Sequence, residues 1–184
     1  MNGCGTKTIE TERLILRRFE YSDTADVHKN WASLPEVQTE YGEPVYETPD
    51  DVRELLKKYI EMYEKPFYFR WAVILKETGS CIGQTAYFLV DAHNHFAEIE
   101  YCIGTKFQNR GYATEAAKAV IDYGFSEIGL HKVQICRRSD NVRSARVIEK
   151  CGFRFDGALR DFFFFKGKYV DRLYYSILEN ERGS

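Results

Sequence analysis

Apolar residues along this chain recur with two periods, and each switch between them marks a new element. Leu14, Ile15 and Leu16 form a short apolar run that reads as a strand, and Ser22 or Asp23 stands where a helix running toward Trp31 needs an N-cap. Thr48-Pro49-Asp50-Asp51 is a second helix start, with proline at the first position and acids in the first turn. Val52, Leu55, Leu56, Tyr59, Ile60 and Tyr63 then recur at helical spacing and predict one buried stripe. Residues 69–75 and 82–90 are rich in aromatic and β-branched side chains, which predicts two strands joined at Glu77-Thr78-Gly79. His93-Asn94-His95 turns the chain into a further strand over 97–103, and Ala113, Ala116, Ala117, Val120, Ile121 and Gly124 define a helical face small enough to pack closely on a sheet. A short strand over 132–136 and a helix opening at Asn141 and closing at Gly152 follow. A hairpin of 153–165 and 169–178 about Lys166-Gly167-Lys168 completes the series. Strands with helices on both sides predict a mixed α+β layer architecture.

Composition narrows the class. A chain of 184 residues with 44% hydrophobic content is long enough for one well-filled core and short for two domains, so a single domain over 1–184 is expected, its core about 11–178. A formal charge of −2 argues against a nucleic-acid binder that relies on a broad basic field. Five cysteines, an odd count without a Cys-x-x-Cys pair, fit a reducing compartment, and cytoplasm is the natural reading. No apolar run approaches the roughly 20 residues that span a bilayer, the first eight residues are polar, and no membrane partner is expected. Gly183-Ser184 reads as a frayed end.

The densest signal is Gln108-Asn109-Arg110-Gly111-Tyr112-Ala113, placed between a strand pattern and a helix pattern. A turn entering a helix leaves several backbone N–H groups unpaired and adds the positive end of the helix dipole, so this loop is built to hold a pyrophosphate. Gly111 lets backbone approach the ligand, and Ala113 keeps the first turn small. Neither a Gly-Lys-Ser/Thr phosphate loop nor a Gly-x-Gly-x-x-Gly fingerprint is present.

Between strand and helix, this Gln/Arg-x-x-Gly-x-Gly/Ala pattern resembles the acetyl-coenzyme A loop of the GNAT N-acetyltransferases. Glu12-Arg13-Leu14-Ile15-Leu16-Arg17, Asn141-x-x-Ser144 with Glu149-Lys150-Cys151-Gly152-Phe153, and Gly167-Lys168-Tyr169-Val170-Asp171 resemble segments of its branch that acetylates ribosomal-protein N-termini, the RimJ/RimL-like enzymes. The resemblance implies the GNAT fold, a twisted, mixed but mostly antiparallel central sheet flanked by helices and splayed between its fourth and fifth strands. It implies acetyl-CoA as co-substrate, no metal, and direct attack of an amine on the thioester without an acyl-enzyme. The coenzyme would be held by Gln108, Asn109, Arg110, Gly111, Tyr112, Ala113 and Thr114, by the backbone at Cys102 and Ile103, and by Asn141.

Catalytic candidates follow from the strand over 97–103. Glu98, Glu100 and Cys102 alternate against Ala97, Ile99, Tyr101 and Ile103, so two carboxylates share one face unless a bulge separates them. Glu98 matches the family's strand glutamate and is the first choice as base, acting directly or through water, with Glu100 next; solvated strand residues are the alternative reading. The resemblance implies that Ser144, one turn after Asn141, lies near the coenzyme sulfur, which makes it the candidate proton donor or thiolate-stabilising hydroxyl; many members of the family use a tyrosine on this helix instead, and none occurs between Asn141 and Gly152. Asn141 reads equally as an N-cap and Ser144 as an ordinary helix residue. Asp161, read as sharing a face with Phe163, is a reserve carboxylate.

Other conspicuous residues have plainer readings. His93 and His95 read as turn histidines before metal ligands, Cys102 and Cys151 as core thiols before nucleophiles, and Phe162 to Phe165 as core and hairpin packing before an acceptor wall. Lys106, Arg110 and Arg143 are cations that would reach the phosphates or stay in water. Glu36, Glu40, Glu43, Glu47, Asp50, Asp51 and Glu54 concentrate acid where the resemblance places the acceptor groove, although a solvated acidic loop is the default. The expected acceptor is a primary amine, most readily an α-amine of a ribosomal protein or peptide. Polyamines, amino acids and aminoglycosides remain alternatives, as does a non-catalytic acyl-CoA sensor. Monomer and homodimer are both open.

Overall fold

The computed structural model describes residues 1–181; Gly183 and Ser184 lie outside that range. One eight-stranded sheet organises the chain, in the order β1-β2-β3-β4-β5-β6-β8-β7. Its strands are β1 (Ile9–Glu10), β2 (Leu14–Arg17), β3 (Phe69–Leu75), β4 (Cys81–Asp91), β5 (Phe96–Ile103), β6 (Lys132–Arg138), β7 (Arg154–Phe165) and β8 (Lys168–Leu178). The helices are α1 (Thr24–Val27), α2 (Pro35–Tyr41), α3 (Pro49–Met62), α4 (Tyr112–Tyr123) and α5 (Val142–Lys150). All pairings are antiparallel except β5 with β6. This is the GNAT architecture that the resemblance implied, with the short β1 shifting the family's fourth and fifth strands to β5 and β6.

Strict alternation along the central strands builds two cores. Leu14, Leu16, Trp71, Val73, Ile99 and Ile103 pack with Ala116, Ala117 and Val120 of α4 and Ile148 of α5 on one face. Ala72, Ile74 and Cys102 pack with Val27 of α1, Val37 of α2, and Val52 and Leu56 of α3 on the other. Val52 and Leu56 are fully buried, each contributing about 1.5–3 kcal/mol of apolar transfer. The start of α3 is held by a reciprocal cap in which Thr48 and Asp51 bond one another's backbone, typically about 1 kcal/mol. On α4's side, a Cβ on Gly124 would stand 2.3 Å from the Tyr87 hydroxyl oxygen, so only glycine lets that turn approach β4.

Two local readings change. The predicted helix toward Trp31 is broken into a 3-10 turn (Tyr21–Asp23), the short α1 and a π turn (His28–Ala32), because the Asp23 carboxylate accepts from Glu20 N and pairs with Arg17. The acidic stretch read as a loop contains α2, entered through Pro35 and ended by Gly42 at φ 86°. Both signals stand in the sequence, but a seven-residue helix leaves little room for an apolar period to show. Among the described residues no helix is long and apolar enough to cross a membrane.

Candidate active site

Strands β5 and β6 pair for only three residues. Phe96, Ala97 and Glu98 lie opposite Lys132, Val133 and Gln134, after which the two strands diverge. Residues 99–103 therefore present an edge with no strand beside it, and a cleft of about 880 Å³ opens there. Unpaired strand edges accept extended ligands through main-chain hydrogen bonds. Ile99, Glu100, Tyr101, Cys102 and Ile103 line this cleft from one side, and Ile135, Cys136, Arg137 and Arg138 from the other.

The loop predicted to hold pyrophosphate sits at one end of the cleft. Asn109 and Gly111 both take left-handed backbone, at φ 61° and 84°. Gly111 is the N-cap of α4 and has no side chain with which to cap it, so the first-turn N–H groups are left for a ligand. Gln108 donates to the Ile103 carbonyl at 2.8 Å and accepts from Arg143 at 2.7 Å, which ties the loop to β5 and to α5. Gln108, Asn109, Gly111, Tyr112, Ala113 and Thr114 line the cleft; the Arg110 side chain is exposed and does not. Two cations that sequence reading passed over, Arg146 and Lys150, join Arg143 among the lining residues from α5. Their spacing along one helix face was the available signal.

A residue remote in sequence fixes this loop. Arg13 donates to the Arg110 carbonyl at 2.9 Å, pairs with Glu115 at 2.7 Å, and lies 4.6 Å above the Tyr112 ring. Glu115 also accepts from Thr11 Oγ1 and from Arg13 N. Against the desolvation that would raise it, these hydrogen bonds hold its carboxyl below the ordinary range. The Glu12-Arg13-Leu14 stretch thus reaches the loop from the entry to β2.

The carboxylates of β5 share a face, as alternation predicted, but not an environment. Glu98 is 3% exposed, accepts from Gln134 at 2.8 Å and pairs with Arg172 at 3.2 Å, and it is not among the residues lining the cleft. Glu100 lines the cleft, its Oε1 accepting from the Tyr41 hydroxyl at 2.6 Å and from Arg70 at 2.8 Å. Among the described residues no hydrogen bond engages Glu100 Oε2. The two carboxylates put forward as base, Glu98 first, are thus placed differently: β6 stays paired as far as Glu98, which seals that carboxylate, and departs before Glu100, which is left open to the cleft. Burial and then the Glu100 charge push the Tyr41 phenol well above its usual range, so Tyr41 remains a donor.

On the opposite face, Asn141 Oδ1 accepts from Ser144 N at 3.0 Å and caps α5, and both residues line the cleft. The Ser144 hydroxyl lies 3.3 Å from the Tyr101 hydroxyl. Asp161 does not join them. A register shift between Leu159 and Phe163 puts it in a bulge at φ 51°, where its N–H donates to Asp171, so it does not simply share a face with Phe163. Phe163, Phe164 and Phe165 line the cleft and Phe164 is 69% exposed, so this run is a wall more than a core. Burial pushes the Cys102 thiol up to about 12 and the Cys151 thiol up to about 11, which leaves neither disposed to ionise. His93 and His95 flank a turn organised by Asp91, and among the described residues no group of three or more His, Cys, Asp or Glu side chains could hold a metal.

Of the seven clustered acids, Glu36, Glu40 and Glu43 line the cleft. Glu40 pairs with both Arg138 and Lys166, linking α2 to β6 and to the β7–β8 turn. Glu43 is raised above its ordinary value by burial and then by the Glu100 charge.

Acetyl-CoA fits this cleft: the glycine-capped helix start suits its pyrophosphate, and the open edge of β5 suits its extended amide-bearing arm. Residues 13–154 match the model of the acetyltransferase (GNAT) domain. A solved GNAT-family acetyltransferase from Bacillus anthracis superposes with a TM-score of 0.82 at 32% identity, covering 95% of this chain and all of that one. Relatives include the putative ribosomal N-acetyltransferase YdaF of Bacillus subtilis, 37% identical over 103 residues and 56% of each chain. Another is the spermidine N(1)-acetyltransferase of Vibrio cholerae, 27% identical over 170 residues, 92% of this chain and 95% of that one. Since the matched span holds β5, β6, the loop and α5 together, the chain belongs to the GNAT family of acetyl-CoA-dependent N-acetyltransferases.

Proposed function

We propose that this enzyme acetylates an α-amine at a protein or peptide N-terminus, in the manner of the RimJ/RimL-like branch, and that it works in the cytoplasm. The observation that carries the reading is the placement of Glu100 and Ser144 on opposite faces of one cleft. Acetyl-CoA, when bound, supplies a thioester carbonyl as electrophile. The loop from Gln108 to Thr114 holds its phosphates, and the edge at Cys102 and Ile103 aligns its arm. From one side Glu100, oriented by Tyr41 and Arg70, accepts the amine proton directly or through water. From the other, the Ser144 hydroxyl meets the departing sulfur.

Two physical arguments support an α-amine. A lysine amine with a pKa of about 10.4 costs roughly 4 kcal/mol to deprotonate near neutral pH, whereas an α-amine near 7.7–8.0 costs under about 1 kcal/mol. Glu100 is a partly solvated base suited to the smaller task. Further, the acids of the acceptor side are largely offset by cations: Arg137, Arg138 and Arg172 line it alongside Glu36, Glu40, Glu43 and Glu100. A polycation gains little from such a wall. One observation favours a polyamine instead, since Glu43 would be relieved of its burial penalty by a bound ammonium.

Free-thiol release from acetyl-CoA against α-amine peptides, lysine peptides with blocked N-termini and polyamines decides between them. The expected result is the highest kcat/KM on α-amine peptides. Faster turnover of spermidine overturns the acceptor assignment, and thiol release with none of these amines overturns the catalytic roles.

A further inference from the structure

Helix α5 carries no tyrosine, yet β5 brings one to it. Tyr101 projects from the β5 face that packs toward α4 and α5, its ring lies against the core there, and its hydroxyl stands 3.3 Å from Ser144 Oγ. Both residues line the cleft. The Ser144 backbone is already fixed, because its N–H donates to Asn141 Oδ1. What remains free is the direction of its O–H.

A serine hydroxyl has one proton to donate and two lone pairs to accept with. If Ser144 donated to Tyr101, it would have no proton left for a ligand. A phenol is the more acidic of the two groups, so the favoured arrangement has Tyr101 donating and Ser144 accepting. We propose that Tyr101 is a positioning residue for acetyl transfer, its O–H donating to Ser144 Oγ and thereby aiming the serine O–H at the sulfur of the coenzyme. The inference rests on the acetyltransferase reading above and extends it to a residue that alternation alone marked as a packing position.

The step balances without an added reactant. The new N–C bond forms and the C–S bond breaks, with the electron pair leaving on sulfur. The amine proton goes to Glu100 or water, and the thiolate later takes one from solvent. Ser144 donates a hydrogen bond to that thiolate and keeps its proton. Burial pushes the Tyr101 phenol up to about 12, well above a thiol near 8.5, so Tyr101 also keeps its proton while the thiolate is present. Donation to Ser144 makes the serine O–H a stronger donor through the polarisation that runs along hydrogen-bond chains.

The test titrates the thiol of CoA bound to the wild type, Tyr101→Phe, Ser144→Ala and the double variant, following thiolate ultraviolet absorbance. Turnover of acetyl-CoA is measured on the same preparations. Tyr101→Phe is expected to raise the pKa of the bound thiol by about one unit and to lower kcat about tenfold, with the KM for acetyl-CoA unchanged. The double variant should be no worse than Ser144→Ala, because both changes remove one donor to sulfur. Tyr101→Phe with an unchanged thiol pKa overturns the proposal, whether or not CoA affinity falls, and so do additive losses in the double variant. The titration needs no acceptor, so its outcome is independent of which amine the enzyme acetylates. A wild-type chain that binds no CoA overturns both readings.

Discussion

Glu98 and Glu100 stand two residues apart on one face of β5 in different surroundings, and the proposed chemistry asks different things of them. Glu98 is sealed with Gln134 and Arg172, so Glu98→Gln should cost about 1–3 kcal/mol of stability in chemical denaturation, mainly by leaving the Arg172 guanidinium short of its partner. Its effect on kcat should be small. Glu100→Gln keeps the shape but removes the proposed base: a fall in kcat of about 10²-fold with unchanged CoA affinity is expected. If instead Glu98→Gln removes turnover while folding normally, the base is misassigned. At Gly111 the backbone is left-handed and a Cβ would approach Arg13 Nη2 at 3.2 Å. Gly111→Asp should weaken CoA binding roughly tenfold or more in calorimetric titration, through charge repulsion and a crowded loop. Near-wild-type affinity would count against that loop as the pyrophosphate site.

The loop between β5 and α4 is held by its own Gln108 and also by Thr11 and Arg13, in the segment that leads into β2. Arg13 reaches the Arg110 carbonyl and Glu115 from across the sheet, and Glu115 spends both its oxygens there. Its carboxyl titrates below the unfolded value of about 4.3, so the clamp contributes fully above that pH and is lost as pH falls through the lower, folded value. Glu115→Gln should therefore flatten the dependence of melting temperature on pH below about 4.3, and loosen the loop enough to weaken CoA binding several-fold at neutral pH. Unchanged acid sensitivity in that variant would remove Glu115 from the clamp. Helix α2 poses the complementary case, an element tied down by charge. Through Glu40 it meets Arg138 and Lys166, and Arg138 also lies 3.5 Å above the Phe165 ring. Glu40→Gln is expected to raise the KM for the acceptor several-fold, to weaken the dependence of that KM on ionic strength, and to leave CoA affinity unchanged. Equal salt dependence in variant and wild type would show that this bridge does not shape the acceptor side.

At the scale of the whole molecule, function depends on where one strand pairing stops. Local causes made much of the architecture legible in the sequence: alternation placed residues 97–103 on two faces, helical spacing drew the buried stripe of α3, and Gly111 marked the strand-to-helix turn that opens α4. Asn141 as a cap and the β7–β8 turn were legible for the same reason, since sterics and first-turn hydrogen bonding involve only a few neighbouring residues. The splay came from the family resemblance, whereas the division of the apolar interior into two cores, one on each face of the sheet, is a finding of the structure. Alternation could not separate Glu98 from Glu100, and the family resemblance put Glu98 first; in the fold their surroundings differ because β6 pairs as far as Glu98 and no farther. Nor could the sequence bring Tyr101 to Ser144 across 43 positions, Arg13 to the coenzyme loop, or α2 against Glu100 through Tyr41. Most elements and turns were settled by the sequence itself, since their energetics are local and periodic; α2 and the break in the helix toward Trp31 were not. The identity of the open carboxylate, the hydroxyl pair and the clamp was decided by tertiary structure, because each depends on the point at which distant strands and helices stop touching.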